Sequence, residues 1–285
     1  MNMTLKTIYF ALLTAFALSS CVNNTDDLAV QSPTRGSQNL VPNNPQSIQV
    51  SKKDAAKIGH KIWMNEGAAK VKNLTVWNKG ETFASLGIGH FIWYPVGQEG
   101  PYDEQFPKLL TFLRRQRTQL PDWLKTTPDC PWNSRREFYN NIKSRRMVEL
   151  RKLLKDTIPQ QVAFIIVRLE KTLPKMMAAL PTKEQRARVR KQFYRVAQQP
   201  QGVYALIDYV NFKGEGTDPK ERYDNQGWGL LQVLENMPGT SKNVMAEFAK
   251  AADKVLRRRV RNAPRDERRW LRGWRKRLRT YTYEF

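Results

Sequence analysis

One short segment, residues 74–94, has the only clear β-pattern in the chain. It consists of LTVWN, a turn at Lys79-Gly80 and a second apolar and β-branched run, TFASLGIGHFIWY. Two such runs around a glycine turn are typical of a β-hairpin. The segments that follow place apolar residues at helical spacing, as in FPKLLTFLRRQR, where Leu109 and Leu113 share one face. The sequence therefore predicts an α+β fold that is mainly α, with one small β-hairpin.

The N-terminus has the features of a secretory signal. Lys6 precedes an apolar run, residues 7–18, which is too short to span a bilayer comfortably. The run ends in LSSC, which resembles the lipobox of bacterial lipoproteins, whose cysteine (here Cys21) becomes the lipidated first residue of the mature chain. Val22 after it resembles the outer-membrane default of Gram-negative lipoproteins. We expect residues 1–20 to be a lipoprotein signal peptide and the protein to be lipid-anchored in the cell envelope, at the outer membrane facing the periplasm. An ordinary cleaved signal with an incidental cysteine is the alternative.

Residues 21–50 are rich in Asn, Gln, Ser and Pro and hold few large apolar side chains. Burial of so little apolar surface cannot offset the entropy of ordering the chain. We therefore predict a flexible tether, followed by one domain over residues 51–285 that is long enough for a core of its own. If Cys21 carries lipid, Cys130 has no intramolecular partner, and a lone cysteine is more often a packed side chain than a nucleophile. With only two histidines in the chain, we expect no metal site and no cofactor.

The chain is strongly basic, with 49 Lys and Arg against 26 Asp and Glu and a formal net charge of +23. Removal of Lys6 with the signal would leave a net charge of +22. Such a field attracts polyanions. Behind a secretion signal these are peptidoglycan carboxylates, lipid phosphates and other anionic envelope polymers, so we expect them as partners and not nucleic acid. Residues 254–279 hold 13 basic side chains against two acidic ones, and a solvated helical face is the simplest interpretation of most of them.

The segment WMNEGAAKVKNLTVWNKGETFASLGIGHF, residues 63–91, combines a glutamate at a predicted helix end, a hairpin and the motif Gly-Ile-Gly-His. This order resembles the phage-type lysozymes of the lysozyme superfamily, in which a glutamate ends the first helix and a T-x-G-x-G-H-like strand lies on the cleft wall. The residues that match are Glu66, Ser85, Gly87, Gly89 and His90.

The resemblance covers about residues 52–94 and 203–280. It implies a lysozyme-like domain with a small β-hairpin. The part between, about residues 104–200, has no counterpart in the family and would form an enlarged helical lobe.

Cleavage of a glycosidic bond needs a carboxylic acid that stays protonated near neutral pH. Glu66 follows an apolar helical stripe, a setting that would raise the pKa of its carboxyl group. Gly87 and Gly89 would let a sugar approach the strand backbone, and His90 would line the site. Four aromatic residues offer flat faces for sugar rings, although the third is more readily a core residue: Trp77, Phe91, Trp93 and Tyr94.

The second carboxylate of the family is displaced here. The resemblance implies a carboxylate six residues before Ser85, where this chain has Lys79, and the nearest carboxylate is Glu81. We therefore expect Glu66 as the general acid, with Glu81 and Ser85 orienting the attacking water. Glu81 is equally well a plain turn residue. In the alternative chemistry, Glu66 acts alone as in lytic transglycosylases, which form a 1,6-anhydro product without water.

A second glutamate competes for the acid role. The segment LIDYVNFKGEGTDPKERYDNQGWGLLQVL resembles the soluble lytic transglycosylases, in which a helix ends at the catalytic glutamate and G-x-G-L-M-Q-V follows. Glu215 would then be the acid, and Gly227, Gly229 and Gln232 would line the site. We favour Glu66 as the acid and place Glu215 and Gln232 among the substrate-binding residues.

The sequence as a whole predicts a peptidoglycan-cleaving glycosidase. It would act on the β-1,4 bond between N-acetylmuramic acid and N-acetylglucosamine, as a hydrolase or as a lytic transglycosylase. The alternative is a non-catalytic peptidoglycan-binding envelope lipoprotein that has kept the cleft without its chemistry.

Overall fold

Side-chain caps set the starting points of many helices. In the computed structural model, which describes residues 47–284, Ser51 Oγ accepts a hydrogen bond from the Asp54 N–H at 3.1 Å and so caps the start of the first helix. Thr182 and Gln185 form the capping box at the start of a later helix, each side chain binding the other residue's backbone N–H at 3.2 Å. Such bonds satisfy backbone donors that have no partner within the helix.

The described residues are mainly helical, with 59% in helix and 5% in strand, which confirms the predicted class. None of the helices in residues 47–284 combines the length and the apolar character that crossing a bilayer requires. The α-helices of this range, in chain order, are α1 Lys52–Gly67, α2 Phe106–Arg115, α3 Asp122–Lys125, α4 Arg135–Asn140, α5 Arg145–Asp156, α6 Ile158–Ala178, α7 Lys183–Ala197, α8 Pro200–Lys213, α9 Leu230–Glu235, α10 Val244–Asn262 and α11 Arg268–Arg279.

The predicted β-segment forms a three-stranded antiparallel sheet in the order β1-β2-β3. Its strands are short: β1 Thr75–Val76, β2 Ala84–Leu86 and β3 Phe91–Trp93. The turn at Lys79-Gly80 lies between β1 and β2, as expected. The prediction of one long second strand is wrong, because residues 87–90 form a turn that separates β2 from β3.

A second, two-stranded antiparallel sheet lies between α8 and α9. It pairs β4 Arg222–Tyr223 with β5 Gln226–Gly227. The two residues between the strands, Asp224 and Asn225, both have positive φ, +50° and +55°. This is the turn geometry whose twist matches that of paired strands, and Asp and Asn tolerate it better than most residues.

Backbone contacts divide the described chain into two units. The N-terminal unit is Ser51–Gln161, and the C-terminal unit comprises residues 47–50 and 162–284, so the boundary falls inside α6. These limits differ from the single domain over 51–285 with a helical insertion at about 104–200 that the sequence predicted. The signal peptide, Cys21 and most of the predicted tether lie outside the described residues.

The predicted tether extends too far along the chain at its C-terminal end. Ile48 and Val50 are both buried in the C-terminal unit. The Ile48 N–H also donates to Glu170 Oε1 on α6, at 2.5 Å. Residues 47–50 therefore belong to the folded part of the chain.

The core of the N-terminal unit is aromatic. The ring of Trp93 on β3 packs against that of Phe106 on α2 with centroids 4.7 Å apart, and Trp77 packs edge-on against Phe138 on α4 at 5.8 Å. Trp77, Trp93, Phe91 and Tyr94 are all almost fully buried. The prediction that Trp77, Phe91 and Tyr94 offer faces to sugars is therefore wrong, because their faces are covered by the protein itself, whereas the expectation that Trp93 is a core residue is confirmed.

A buried ion pair joins the C-terminal end of the chain to α8 in the C-terminal unit. Asp208 on α8 is only 3% exposed and binds Arg277 on α11 with two hydrogen bonds of 2.7 and 2.8 Å. Its Oδ2 also accepts a hydrogen bond from the Tyr281 hydroxyl at 2.6 Å. Because a bidentate pair fixes both distance and orientation, it holds α11 against α8 in one register.

We expect Asp208→Ala to lower the free energy of unfolding by about 3–5 kcal/mol, since it leaves the partly buried Arg277 guanidinium and the buried Tyr281 hydroxyl without their carboxylate partner. Urea denaturation followed by circular dichroism measures the loss. The control is Asp253→Ala, which removes ion pairs with the more exposed Arg257 and Arg275. This variant should lower the free energy of unfolding by less than about 1 kcal/mol. Equal losses in the two variants would contradict the structural role of Asp208.

Candidate functional site

The two candidate acids lie in different units, Glu66 in the N-terminal unit and Glu215 in the C-terminal unit. Glu66 occupies the last turn of α1, one residue before the helix ends at Gly67, so its backbone position agrees with the prediction. The side chain of Glu66 lies outside the described part of the structure.

The Gly-Ile-Gly-His turn is anchored by a glutamine far away in the sequence. Gln161 is fully buried, and its Oε1 accepts a hydrogen bond from the Ile88 N–H at 3.0 Å. Gly87 has a φ of +70°, and a Cβ at this position would overlap Gln161 Oε1. The approach of Gln161 therefore explains why a glycine is needed at position 87.

The other predicted residues of the N-terminal unit have structural partners or are buried. Both carboxylate oxygens of Glu81 accept from Asn78 Nδ2 at 3.1 Å, and the Glu81 carbonyl accepts from Trp77 Nε1 at 2.8 Å. Glu81 thus stabilises the β1–β2 turn. Ser85, paired with Ile92, is 3% exposed, so the sheet does not present its hydroxyl to solvent. The half-buried Gly89 and His90 complete the next turn, in which His90 has a φ of +49°.

The C-terminal candidate is built where α8 ends and α9 begins. Gly214 follows α8 with φ +79° and ψ 177°, a backbone conformation that is essentially restricted to glycine. The start of α9 packs against this end of α8. The Leu230 N–H donates to the Gly214 carbonyl at 3.0 Å, and the Leu231 N–H donates to the Glu215 carbonyl at 2.9 Å. The backbone on both sides of the Glu215 side chain is thereby fixed.

Gln232 completes this arrangement. Its Oε1 accepts from the Gly229 N–H and its Nε2 donates to the Gly216 carbonyl, both at 3.0 Å. A Cβ at Gly216 would overlap Gln232 Oε1, and one at Gly229 would overlap the Gly216 backbone. The predicted site residue Gln232 is 9% exposed and acts as a brace between the two segments, which explains the glycines of the GEG and GWG motifs.

Glu215 has the electrostatic setting of a potential acid. Its side chain is half-buried, and this burial raises the pKa of its carboxyl group. Lys175 and Arg168 on α6 oppose the shift through their positive charges. Because desolvation outweighs these charges, the protonated form persists to higher pH than in an ordinary glutamate.

A further carboxyl group, which the sequence reasoning missed, lies beside Glu215. A Cβ at Gly214 would overlap Glu221 Oε2, so the Glu221 carboxyl packs directly on the backbone residue before Glu215. Burial raises the pKa of Glu221 to about 7, and the negative charges of Asp218 and Glu215 add to the rise, while Arg259 and Lys213 lower it. The sequence signal available for it was the Asp224-Asn225 pair, which is typical of a hairpin turn and so indicates that the chain reverses shortly after Glu221.

Cations and aromatic rings alternate next to these carboxyl groups. Lys213 Nζ lies 3.7 Å from the ring centroid of Trp274 and 4.3 Å from that of Phe212. The Arg259 guanidinium lies 4.1 Å from the Trp228 centroid and forms two hydrogen bonds with Glu267. Burial, helped by the charge of Arg259, lowers the pKa of Lys213 to about 6. In this cation–aromatic column, Lys213, Trp274, Arg259 and Trp228, Arg259 is the main positive charge acting on Glu221, because Lys213 with its lowered pKa is largely neutral near pH 7.

The remaining candidates for chemistry are inert or absent within the described range. Cys130 is buried, and burial raises the pKa of its thiol to about 12, which confirms it as a packed side chain. No group of three or more His, Cys, Asp or Glu side chains in residues 47–284 could hold a metal ion.

We expect Gly214→Ala to destabilise the protein by at least about 1–3 kcal/mol, the typical cost of a strained backbone conformation, and to push the Glu221 carboxyl away from the helix end. Urea denaturation measures the loss. Gly80→Ala is the control, since Gly80 also has a positive φ of +88° but no atom lies within 4 Å of the added Cβ. A loss at Gly214 no larger than that at Gly80 would contradict the packing of Glu221 on Gly214.

Comparison of the chain with protein-family models, with curated proteins and with solved structures finds no match. The resemblance to the lysozyme superfamily thus rests on the motifs NEG, SLGIGH and GWGLLQV themselves. The functional argument for the C-terminal unit rests on the geometry around Glu215.

Proposed function

We propose that the protein is a glycosidase that cleaves the β-1,4 bond between N-acetylmuramic acid and N-acetylglucosamine in peptidoglycan. The observation that carries this proposal is the half-buried Glu215 carboxyl, whose pKa is raised and whose backbone is fixed by the start of α9. Departure of a sugar oxygen requires a proton from such a carboxylic acid. Glu215 therefore takes precedence over Glu66 as the proposed acid.

In the proposed reaction, Glu215 donates its proton to the bridging oxygen as the bond from that oxygen to C1 of N-acetylmuramic acid breaks. Attack of water on C1 gives a hydrolysis product with a reducing end. Attack of the C6 hydroxyl of the same sugar gives the 1,6-anhydro product of a lytic transglycosylase. Neither route requires a cofactor.

The charge of the chain supports an anionic polymer as the substrate. The net charge of +23 favours association with peptidoglycan, whose peptides and muramic acid units carry carboxylates. Lys175 and Arg168 bring two of these positive charges close enough to influence Glu215. They could meet substrate carboxylates at the same place.

A non-catalytic peptidoglycan-binding role is the second candidate, and the N-terminal unit favours it. The Glu81 carboxylate is engaged by Asn78 within the turn, and Ser85 is buried, so the proposed water-orienting pair of the hairpin has structural roles. Under this alternative the protein would bind the polymer through its charge and release no product.

Digestion of purified peptidoglycan by the mature protein, with products identified by mass spectrometry, tests the proposal. We expect wild-type protein to release muropeptides and Glu215→Gln to lose activity by about 10²–10⁴-fold, the usual effect of removing a general acid. Glu235→Gln is the matched control, because Glu235 is another half-buried glutamate of the C-terminal unit with a raised pKa.

Glu66→Gln, run in parallel, separates the two candidate acids. Loss confined to Glu66→Gln would move the acid to the N-terminal unit. Reducing-end products would identify a hydrolase and anhydro products a transglycosylase. Absence of products with wild-type protein that sediments with peptidoglycan would reject the enzyme and favour the binding role.

We also propose that lipid on Cys21 holds the protein at the outer membrane, facing the periplasm and this substrate. Each acyl CH₂ that enters the bilayer contributes about 0.8 kcal/mol, so several chains anchor stably. In cells fed radiolabelled palmitate, we expect wild-type protein and Cys130→Ser to incorporate label and to remain in the outer-membrane fraction. Cys21→Ser should do neither, and labelling of Cys21→Ser would reject the anchor.

A further inference from the structure

The carboxyl of Glu221 is held next to Glu215 by two local features. Its backbone N–H donates to the Asp218 carbonyl at 3.1 Å, in a turn directly before β4. Its side chain then folds back over Gly214, where a Cβ would overlap the carboxylate. A glycine at the end of α8 is thus what allows the Glu221 carboxyl to pack on the backbone directly before the proposed acid.

The charges around the two carboxyl groups differ in kind. Glu221 is flanked by the acidic Asp218 and Glu215 and by the cations Lys213 and Arg259. Both cations are engaged elsewhere, Lys213 with the rings of Trp274 and Phe212, and Arg259 with Glu267 and Trp228.

Glu215 has a different set of neighbours. Lys175 and Arg168 on α6 are the charges that act on it most strongly. Glu215 also appears among the charges that raise the pKa of Glu221, so the two carboxyl groups interact electrostatically.

We propose that Glu221 is the second catalytic carboxyl of this site, acting as the general base of the reaction in which Glu215 is the acid. This inference rests on the proposed function. It replaces the pair that the sequence indicated, Glu66 with Glu81, by two glutamates six positions apart in one loop. The packing of Glu221 on Gly214 is the juxtaposition that carries it.

The proton balance of the step is complete with these two groups. Glu215 transfers its proton to the bridging oxygen, which keeps the electron pair of the bond that it formed with C1. The oxygen of water, or of the C6 hydroxyl in the anhydro route, bonds to C1 and gives its proton to the Glu221 carboxylate. Glu221 then holds the proton that Glu215 has lost, and exchange with solvent restores the starting state.

Only the form with a single proton on the pair, held by Glu215, is active, so the rate must pass through a maximum with pH. Burial and the charge of Glu215 raise the pKa of Glu221, so this form is in equilibrium with one in which Glu221 holds the proton. At low pH a second proton neutralises the base, and at high pH the last proton leaves the pair. Like charges raise one another's pKa. In a variant without Glu221, the fall in rate at low pH, the acidic limb of the profile, therefore disappears. The fall in rate at high pH, the alkaline limb, is then determined by Glu215 alone and moves to lower pH.

The test is the pH–rate profile of peptidoglycan cleavage by wild type, Glu221→Gln and Glu221→Asp, with Glu235→Gln as the control. We expect a bell-shaped profile for wild type and the control. Glu221→Gln should lose about 10²–10⁴-fold in rate and show only an alkaline limb, shifted to lower pH. Glu221→Asp keeps the charge on a shorter side chain and should retain the bell at a reduced rate.

The outcomes separate this inference from the proposed function. If wild type cleaves, Glu215→Gln does not, and Glu221→Gln keeps the wild-type rate and profile, the role of Glu221 is rejected and the function stands. A reduced rate with both limbs unchanged in Glu221→Gln also rejects it, since a structural defect lowers the rate without removing a titration. If wild type cleaves nothing, both the proposed function and the proposed role of Glu221 are rejected.

Discussion

The return of α9 onto the end of α8 is the contact on which the candidate site depends. Two backbone N–H groups of α9 bind the carbonyls of Gly214 and Glu215, and Gln232 joins Gly229 to Gly216. Because each of these groups is fixed by its partner, the loop between the helices has little freedom near its ends. The Glu215 side chain is consequently presented from a rigid turn, as a functional group must be if its geometry is to persist.

The strongly basic segment of residues 254–279 has a role inside the fold. Arg277 and Arg259 bind Asp208 and Glu267, which are almost fully buried. The apolar parts and the planar faces of such arginines pack against aromatic rings while the charge is neutralised. Some arginines of residues 254–279 thus hold the C-terminal unit together through these ion pairs. Only the basic side chains of the segment that are exposed to solvent are free of this structural role.

Local signals predicted the parts of the fold that local interactions decide. The turn at Lys79-Gly80 and the helix end at Glu66 each involve residues within a few positions of one another. The Gly-Ile-Gly-His segment was misread as strand because its conformation depends on Gln161, 73 positions from Ile88. For the same reason a local signal such as the Asp224-Asn225 turn could not by itself single out Glu221, since the raised pKa of Glu221 results from burial in the folded chain.

The burial of Cys130 has a consequence for the oxidation chemistry of the folded part of the chain. A thiol with a pKa of about 12 is almost never a thiolate near neutral pH, and the thiolate is the species that attacks disulfides. Cys130 is the only cysteine of the described residues. The folded part should therefore need no disulfide-forming enzyme to mature, and its copies should not become cross-linked to one another through sulfur.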